Sequence, residues 1–322
     1  MNEIARVAAL VLCYSALPAS GADTTYPTKS IRIVVPFPPG GIADVMSRVI
    51  GQKFTDSWGQ PVVIENRTGA GGNIGADIIA KSPPDGYSLV MGTIGTHAVN
   101  VSLFSKLPYD PVRDFAPVAL VVETDGLLVL HPSVPVRSVK ELIALARSKP
   151  GQLVYASAGN GTAGHLSGEL FKTMAKIDMV HIPYKGNVPA LTDVIGGQTS
   201  MLFATMPTAM PLARAGKLYA MAVTGKQRNP AAPDIPAIAE TLPGFEVMNW
   251  IGVFAPAGTP NEIVAKLNPE IMRIVKLPEV QARLVTEGAT SRQNTPAEFG
   301  AFVKSEITKW AKVVRDAGAR AD

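Results

Sequence analysis

The run over residues 31–50 leaves a chain few ways to fold. Ile31-Arg32-Ile33-Val34-Val35 is a short β-branched stretch of the kind that fills a buried strand, and Pro36-Phe37-Pro38-Pro39-Gly40-Gly41 breaks it. Ile42, Val45, Met46, Val49 and Ile50 follow at i, i+3, i+4, i+7 and i+8, the spacing of an amphipathic helix. Glycines just before a helix let a ligand approach its first unpaired backbone N–H groups, where the helix dipole favours negative charge. The loop contains no Lys, Arg, Ser, Cys or His. It can hold an anion but has nothing with which to attack one, which points to a binding protein and not an enzyme.

The alternation of strand and helix then repeats. Residues 61–64 read as a second strand, ahead of Gly69-Ala70-Gly71-Gly72-Asn73-Ile74-Gly75 and a helix through Ala76, Ile79 and Ala80. Residues 87–91 read as a third, ending in Gly92-Thr93-Ile94-Gly95-Thr96-His97. This order predicts an α/β fold with parallel strands and crossover helices, whose ligands bind beyond the carboxyl ends of the strands. The glycine-bearing loops should therefore cluster. Residues 118–123 are a further extended run, and a second series begins at Leu127, with strands expected at 127–130, 153–157, 180–184, 200–203 and 218–223. Its helices are expected at 138–147, where Ser138 and Glu141 form a capping box, at 165–174 and at 189–195. A strand at 250–255 and helices near 262–274 and 296–317 close the chain. The chain reads as two α/β units crossed near Glu123 and Trp250, which makes a hinge with a cleft between the units.

Three motifs bear on chemistry. Gly159-x-Gly161-x-x-Gly164 matches the dinucleotide fingerprint literally and stands between a strand and a helix. That fingerprint needs a carboxylate about twenty residues on, at the next strand end, where this chain has Tyr184-Lys185. Lys185 would suit only a 2′-phosphate. A small-anion loop is the better reading, with Ser157 and Thr162 adding hydroxyls to the amides around Ala158 and Gly159. Gly72 and Asn73 belong to a near miss of the same pattern, where glycines that ease packing and glycines that touch ligand stay equally open. Thr93 and Thr96, beside Gly95 and His97, serve as caps or turn one hydroxyl to the cleft. No glycine loop is followed by Gly-Lys-Ser/Thr, so a nucleotide P-loop is absent.

His97, His131, His165 and His181 are scattered without metal-ligand spacing, so no metal is expected. Ser157 and Ser167 lack the nucleophile-elbow context, and a hydrolase is the weaker reading. Met201, Met206 and Met210 suit a core or a cleft wall rather than a cofactor site.

The first residues have the layout of an export signal: Arg6, an apolar stretch over 7–16, and Ser20-Gly21-Ala22 as a small-x-small cleavage site. The stretch is too short to span a membrane. Cys13, the one cysteine, lies inside it behind Leu12, which argues against lipidation, and the mature chain would carry no thiol. A mature periplasmic protein is expected. With 47% hydrophobic and 17% charged residues the chain is globular, and a net charge of +4 without Lys/Arg runs argues against a nucleic-acid partner.

Taken together the motifs resemble the periplasmic solute-binding proteins of tripartite tricarboxylate transporters, the Bug family. The resemblance rests on Ile33-Val34-Val35-Pro36-Phe37-Pro38-Pro39-Gly40-Gly41, Gly69-Ala70-Gly71-Gly72-Asn73-Ile74-Gly75, Asp85-Gly86-Tyr87 and Lys149-Pro150-Gly151. It continues in His181-Ile182-Pro183-Tyr184-Lys185-Gly186 and Ala255-Pro256-Ala257-Gly258-Thr259-Pro260. It implies a two-domain periplasmic-binding-protein fold of type II with two crossover hinge strands. Residues 23–123 plus 252–322 would form one domain and 124–251 the other, after a signal over 1–22. It implies a monomeric receptor, without cofactor, that holds a small carboxylate and docks transiently on membrane transporter subunits, or else feeds a sensor. The loops after the first and third strands (Phe37, Pro38, Pro39, Gly40, Gly41, and Thr93 or Thr96) would hold one carboxylate. The loop from Ser157 to Thr162 would form the opposite wall. Family members often carry acidic residues after Gly196-Gly197-Gln198, whereas Thr199-Ser200-Met201-Leu202-Phe203-Ala204-Thr205 has none. A non-amino organic acid is the expected ligand.

Overall fold

The computed structural model describes residues 26–286 and 288–321. The export segment expected over residues 1–22, with Cys13, lies outside the described residues. Strands β1 (Ile31–Val35), β2 (Val62–Asn66) and β3 (Ser88–Thr93) run parallel, joined through helices α1 (Ile42–Trp58) and α2 (Asn73–Ala80). Met46, Ile50 and Phe54 on α1 pack with Ile31, Ile33 and Val35 of β1. Each such side chain taken wholly out of water contributes about 1.5–3 kcal/mol.

β3 leads straight into helical turns, Gly95–Val99 and α3 (Asn100–Leu103), where an open loop was expected. Strand β4 (Phe115–Leu130) is also longer than the sequence implied, for the two expected runs are one strand of 16 residues. Nothing between them breaks it. Gly126 keeps it continuous by letting Thr224 come close: its N–H donates to Thr224 Oγ1 at 2.7 Å, and a Cβ there would stand 2.8 Å from the same oxygen.

The second half holds α4 (Val139–Ser148), β5 (Val154–Ser157), α5 (Ala163–Ala175), β6 (Val180–Pro183), α6 (Asn187–Ile195), β7 (Met201–Thr205), α7 (Met206–Arg214) and β8 (Tyr219–Val223). At α4 the Glu141 N–H reaches Ser138 Oγ as expected, but the Glu141 carboxylate accepts from Arg137 N at 2.7 Å, one residue ahead of the cap. Helix α7 escaped the sequence reading because Pro207 and Pro211 interrupt it. Pro207 falls in the first turn, where the missing N–H costs nothing. Met201, Met206 and Met210 are all buried.

The chain returns through β9 (Met248–Pro256), α8 (Asn261–Val275), α9 (Pro278–Thr286), β10 (Ala289–Thr290) and α10 (Pro296–Asp316). Strand order is β2-β1-β3-β9-β4-β7-β5-β6, with β8 and β10 also paired to β4. The first part of β4, through Asp125, pairs with β9, and the last part, from Gly126, pairs with β7 and β8. One strand thus belongs to both halves of the sheet. Helices α8 and α10 pack back on the first half, against α1, α3 and β4. There the indoles of Trp250 and Trp310 both donate to Glu306 Oε2, at 3.0 and 2.9 Å.

Candidate ligand-binding site

A cavity lies between the two halves of the sheet, where the loops after β1, β3, β5, β6 and β7 meet. Four helices begin on its wall: α1 with Ile42 and Ala43, α5 with Ala163 and Gly164, α6 with Asn187 and Val188, and α7 after Thr205. Their first N–H groups have no helical partner, and each helix start is worth roughly half a positive charge. Among the described residues no Asp, Glu, Lys, Arg or His lines the space. The cavity is therefore polarised for anions by backbone alone. The cavity volume is ≈ 90 Å³. At roughly 10–15 Å³ per water that is room for several waters or a small acid.

Of the first loop, Phe37, Pro38, Pro39 and Gly41 line the cavity as expected. Gly40 differs. Its N–H is already donated to Asp44 Oδ2 at 3.1 Å, so it is not free for a ligand. Asp44 also accepts from Arg48 and from Asn66, whose amide donates in addition to Phe37 O at 2.9 Å. Burial works against the Asp44 carboxylate, but the bonds from Arg48, Gly40 and Asn66 outweigh it and hold the group below the usual aspartate range. This cluster fixes the loop's shape and leaves Gly41, Ile42 and Ala43 to face the cavity.

Gly72 and Asn73 do not reach the space. A Cβ on Gly72, which has φ +96°, would press on Thr96 and Phe37, and Asn73 Oδ1 accepts from Asn100 Nδ2 at 2.6 Å and Tyr109 Oη at 2.9 Å. These are packing roles. In the third loop Thr93 lines the cavity, but Thr96 and His97 are fully buried behind it. Thr96 Oγ1 accepts from Thr93 N at 2.9 Å and meets His97 Nδ1 at 2.8 Å. The His97 ring stacks on Phe254 with centroids 3.8 Å apart, and burial pushes its pKa down to about 3, so it is a neutral core residue. Gly95 faces Gly161 O of the other half rather than the cavity.

On the opposite side Ala158 and Thr162 line the space. Ser157 and Gly159 lie beneath it. Ser157 Oγ bonds His181 Nε2 at 2.7 Å and accepts from Gly159 N at 3.1 Å, while Gly159 O accepts from Thr162 Oγ1 at 2.7 Å. The Ser157 hydroxyl expected for the ligand is spent on holding the loop. His165 Nδ1 accepts from Gly161 N at 3.2 Å and its ring stacks on His181, so the imidazole pair supports the same loop. Lys185 is exposed and outside the cavity, whereas its neighbour Gly186 is part of the wall.

The sequence reading began α6 two residues late, at Pro189, and missed α7, although a strand followed by a glycine or hydroxyl residue was the signal. It also missed the floor formed by Gly126, Thr224, Asn249 and Ile251. Thr224 is satisfied on both sides, donating to Val247 O and accepting from Gly126 N. Asn249 is only 8% exposed, yet among the described residues its side-chain amide makes no hydrogen bond. Phe203, Ala204 and Thr205 also face the cavity, so the stretch that lacks acidic residues is part of the wall.

A cleft between two α/β halves, walled by helix starts and, among the described residues, lined by no ionisable side chain, is the architecture of a solute-binding protein. Residues 46–319 match the model of the tripartite tricarboxylate transporter family receptor, TctC, and the chain belongs to that family. BugT of Bordetella pertussis is 38% identical over 324 residues, covering 99% of each chain. Among solved structures, Rhodopseudomonas palustris Rpa4515 with adipate shares 39% identity at a TM-score of 0.88, covering 91% of this chain and 98% of its own. MatC of the same organism, with bound malate, shares 38% at a TM-score of 0.86, covering 90% and 100%. The two-domain periplasmic-binding-protein fold expected from the sequence is thus the fold found. The family and these neighbours are solute-binding proteins and not enzymes.

Proposed function

We propose that this receptor captures a small organic acid in the periplasm and hands it to the membrane subunits of a tripartite tricarboxylate-type transporter, acting as a monomer. The observation that carries the reading is the convergence of four helix starts on a cavity without ionisable side chains. Such a site favours carboxylates and offers nothing to balance an ammonium group, so amino acids are disfavoured. Hydrogen bonds to a charged group contribute roughly 1.5–3 kcal/mol each, and three or four from Gly41, Ile42, Ala43 and the facing helix starts orient a small acid without arginine. The adipate and malate held by the two structural neighbours support the same ligand class.

The lobes are residues 23–123 plus 252–322 and residues 124–251, swinging about β4 and the approach to β9. Ligand touching both lobes shifts the open–closed equilibrium only by its differential affinity for the two states. Calorimetry of the mature chain against dicarboxylates, hydroxy acids and amino acids tests the reading. Micromolar or tighter binding of a carboxylate supports it, and tight binding of aspartate or glutamate alone overturns it.

A further inference from the structure

We infer that Asn249 reads a hydroxyl group beside a carboxylate of the bound acid, making this receptor selective for 2-hydroxy acids over their deoxy counterparts. The inference rests on the carboxylate reading above and adds what the other end of the pocket recognises. Alternation along β9 turns Asn249 and Ile251 toward the cavity and Trp250 away, where its indole meets Glu306. Asn249 is more than nine-tenths buried, and no described residue hydrogen-bonds its amide. Other hydroxyls of the lining are engaged: Thr224 with Val247 O and Gly126 N, Ser167 with Ala163 O, Thr162 with Gly159 O, and Thr205 with Thr208 and Asn187.

The chemistry of the remaining groups narrows the partner. Helix starts only donate hydrogen bonds, whereas an asparagine amide presents a donor, Nδ2, and an acceptor, Oδ1, side by side. An ionised carboxylate alone would satisfy Nδ2 and leave Oδ1 unmet. An ammonium group would satisfy Oδ1 but finds no carboxylate in the lining. A carbon bearing a hydroxyl next to a carboxylate offers both complements at once, O–H to Oδ1 and carboxylate oxygen to Nδ2. Sites built to bond a ligand hydroxyl reject the analogue lacking it, because the protein's own polar group is then left buried and unpaired.

The test is isothermal titration of the mature chain with (S)-malate and with succinate, which differ by one hydroxyl. Wild type should bind malate at least tenfold more tightly, and Asn249→Leu should collapse that ratio to within twofold while the protein keeps a cooperative melt. Should the leucine variant fail to fold, Asn249→Ala tests the same collapse of the ratio. Equal binding of the two acids by wild type, or a ratio that survives substitution of Asn249, overturns the hydroxyl reading and leaves the carboxylate reading standing. Binding of neither acid overturns the hydroxyl reading alone, and binding of amino acids only overturns both.

Discussion

Gly95→Ala separates closure from stability. Gly95 opens the helical segment after β3, and the atom facing it across the cleft is Gly161 O of the other half. A Cβ on Gly95 would stand 2.8 Å from that oxygen and 3.4 Å from its carbonyl carbon, where ordinary contact begins near 3.4 Å. The loops must part by about 0.6 Å, the difference between those separations, and the obstacle is backbone, which cannot rotate aside. Overpacking of this kind costs about 1–3 kcal/mol, or roughly 5- to 150-fold in affinity if it falls only on the closed arrangement. Locally the change is favourable. Gly95 is not in the left-handed region, and alanine in a helical segment is preferred over glycine by about 0.5–1 kcal/mol. Titration with the best-bound acid should show the loss, while urea unfolding without ligand should show an unchanged or raised midpoint. Affinity equal to wild type would refute the claim that these loops must touch for ligand to be held. A fall in both quantities would refute the separation of the two effects.

Three further outcomes follow from the packing. Burial depresses the pKa of His97 to about 3 and of His165 to about 4, and burial with its neighbours His165 and Lys172 takes His181 to about 3. The unfolded chain takes up protons below about pH 6.5 that the folded chain refuses, so stability is complete above that pH and falls toward pH 4 by up to about 1.4 kcal/mol per unit for each histidine. Urea midpoints flat between pH 7 and 5 would contradict this. Glu306→Leu should destabilise by about 2–5 kcal/mol in denaturant unfolding, because it orphans two buried indole donors at once. A loss under 1 kcal/mol would mean that water replaces the carboxylate. Thr295→Ala removes the acceptor for Glu298 N and half of the reciprocal cap on α10, and should cost about 1 kcal/mol by the same assay.

Local pattern carried most of the architecture and only part of the site. The apolar run Ile31–Val35, the helix periodicity after Gly41 and the glycine loops specified strands, helices and the side of the sheet where the cavity opens, since burial period and backbone permissiveness are local properties. The same reasoning placed Phe37, Pro38, Pro39, Gly41, Thr93, Ala158 and Thr162 at the cavity, because they flank strand ends. It could not tell which polar groups are already occupied. Gly40 N is spent on Asp44 four residues on, Ser157 on His181 in the next strand, and Thr96 on its neighbour His97, whose ring is turned inward by the core around it. Nor could it find Asn249, Thr224 and Gly126, since the cavity floor is set by how β4 crosses between the halves and pairs in shifted register with β9 and β8. Sequence alone determined that uncharged glycine-bearing loops and helix starts would gather at the carboxyl ends of the strands. The tertiary structure decided which amides stay free and which side chain is left without a partner, because hydrogen-bond satisfaction is settled by neighbours in space.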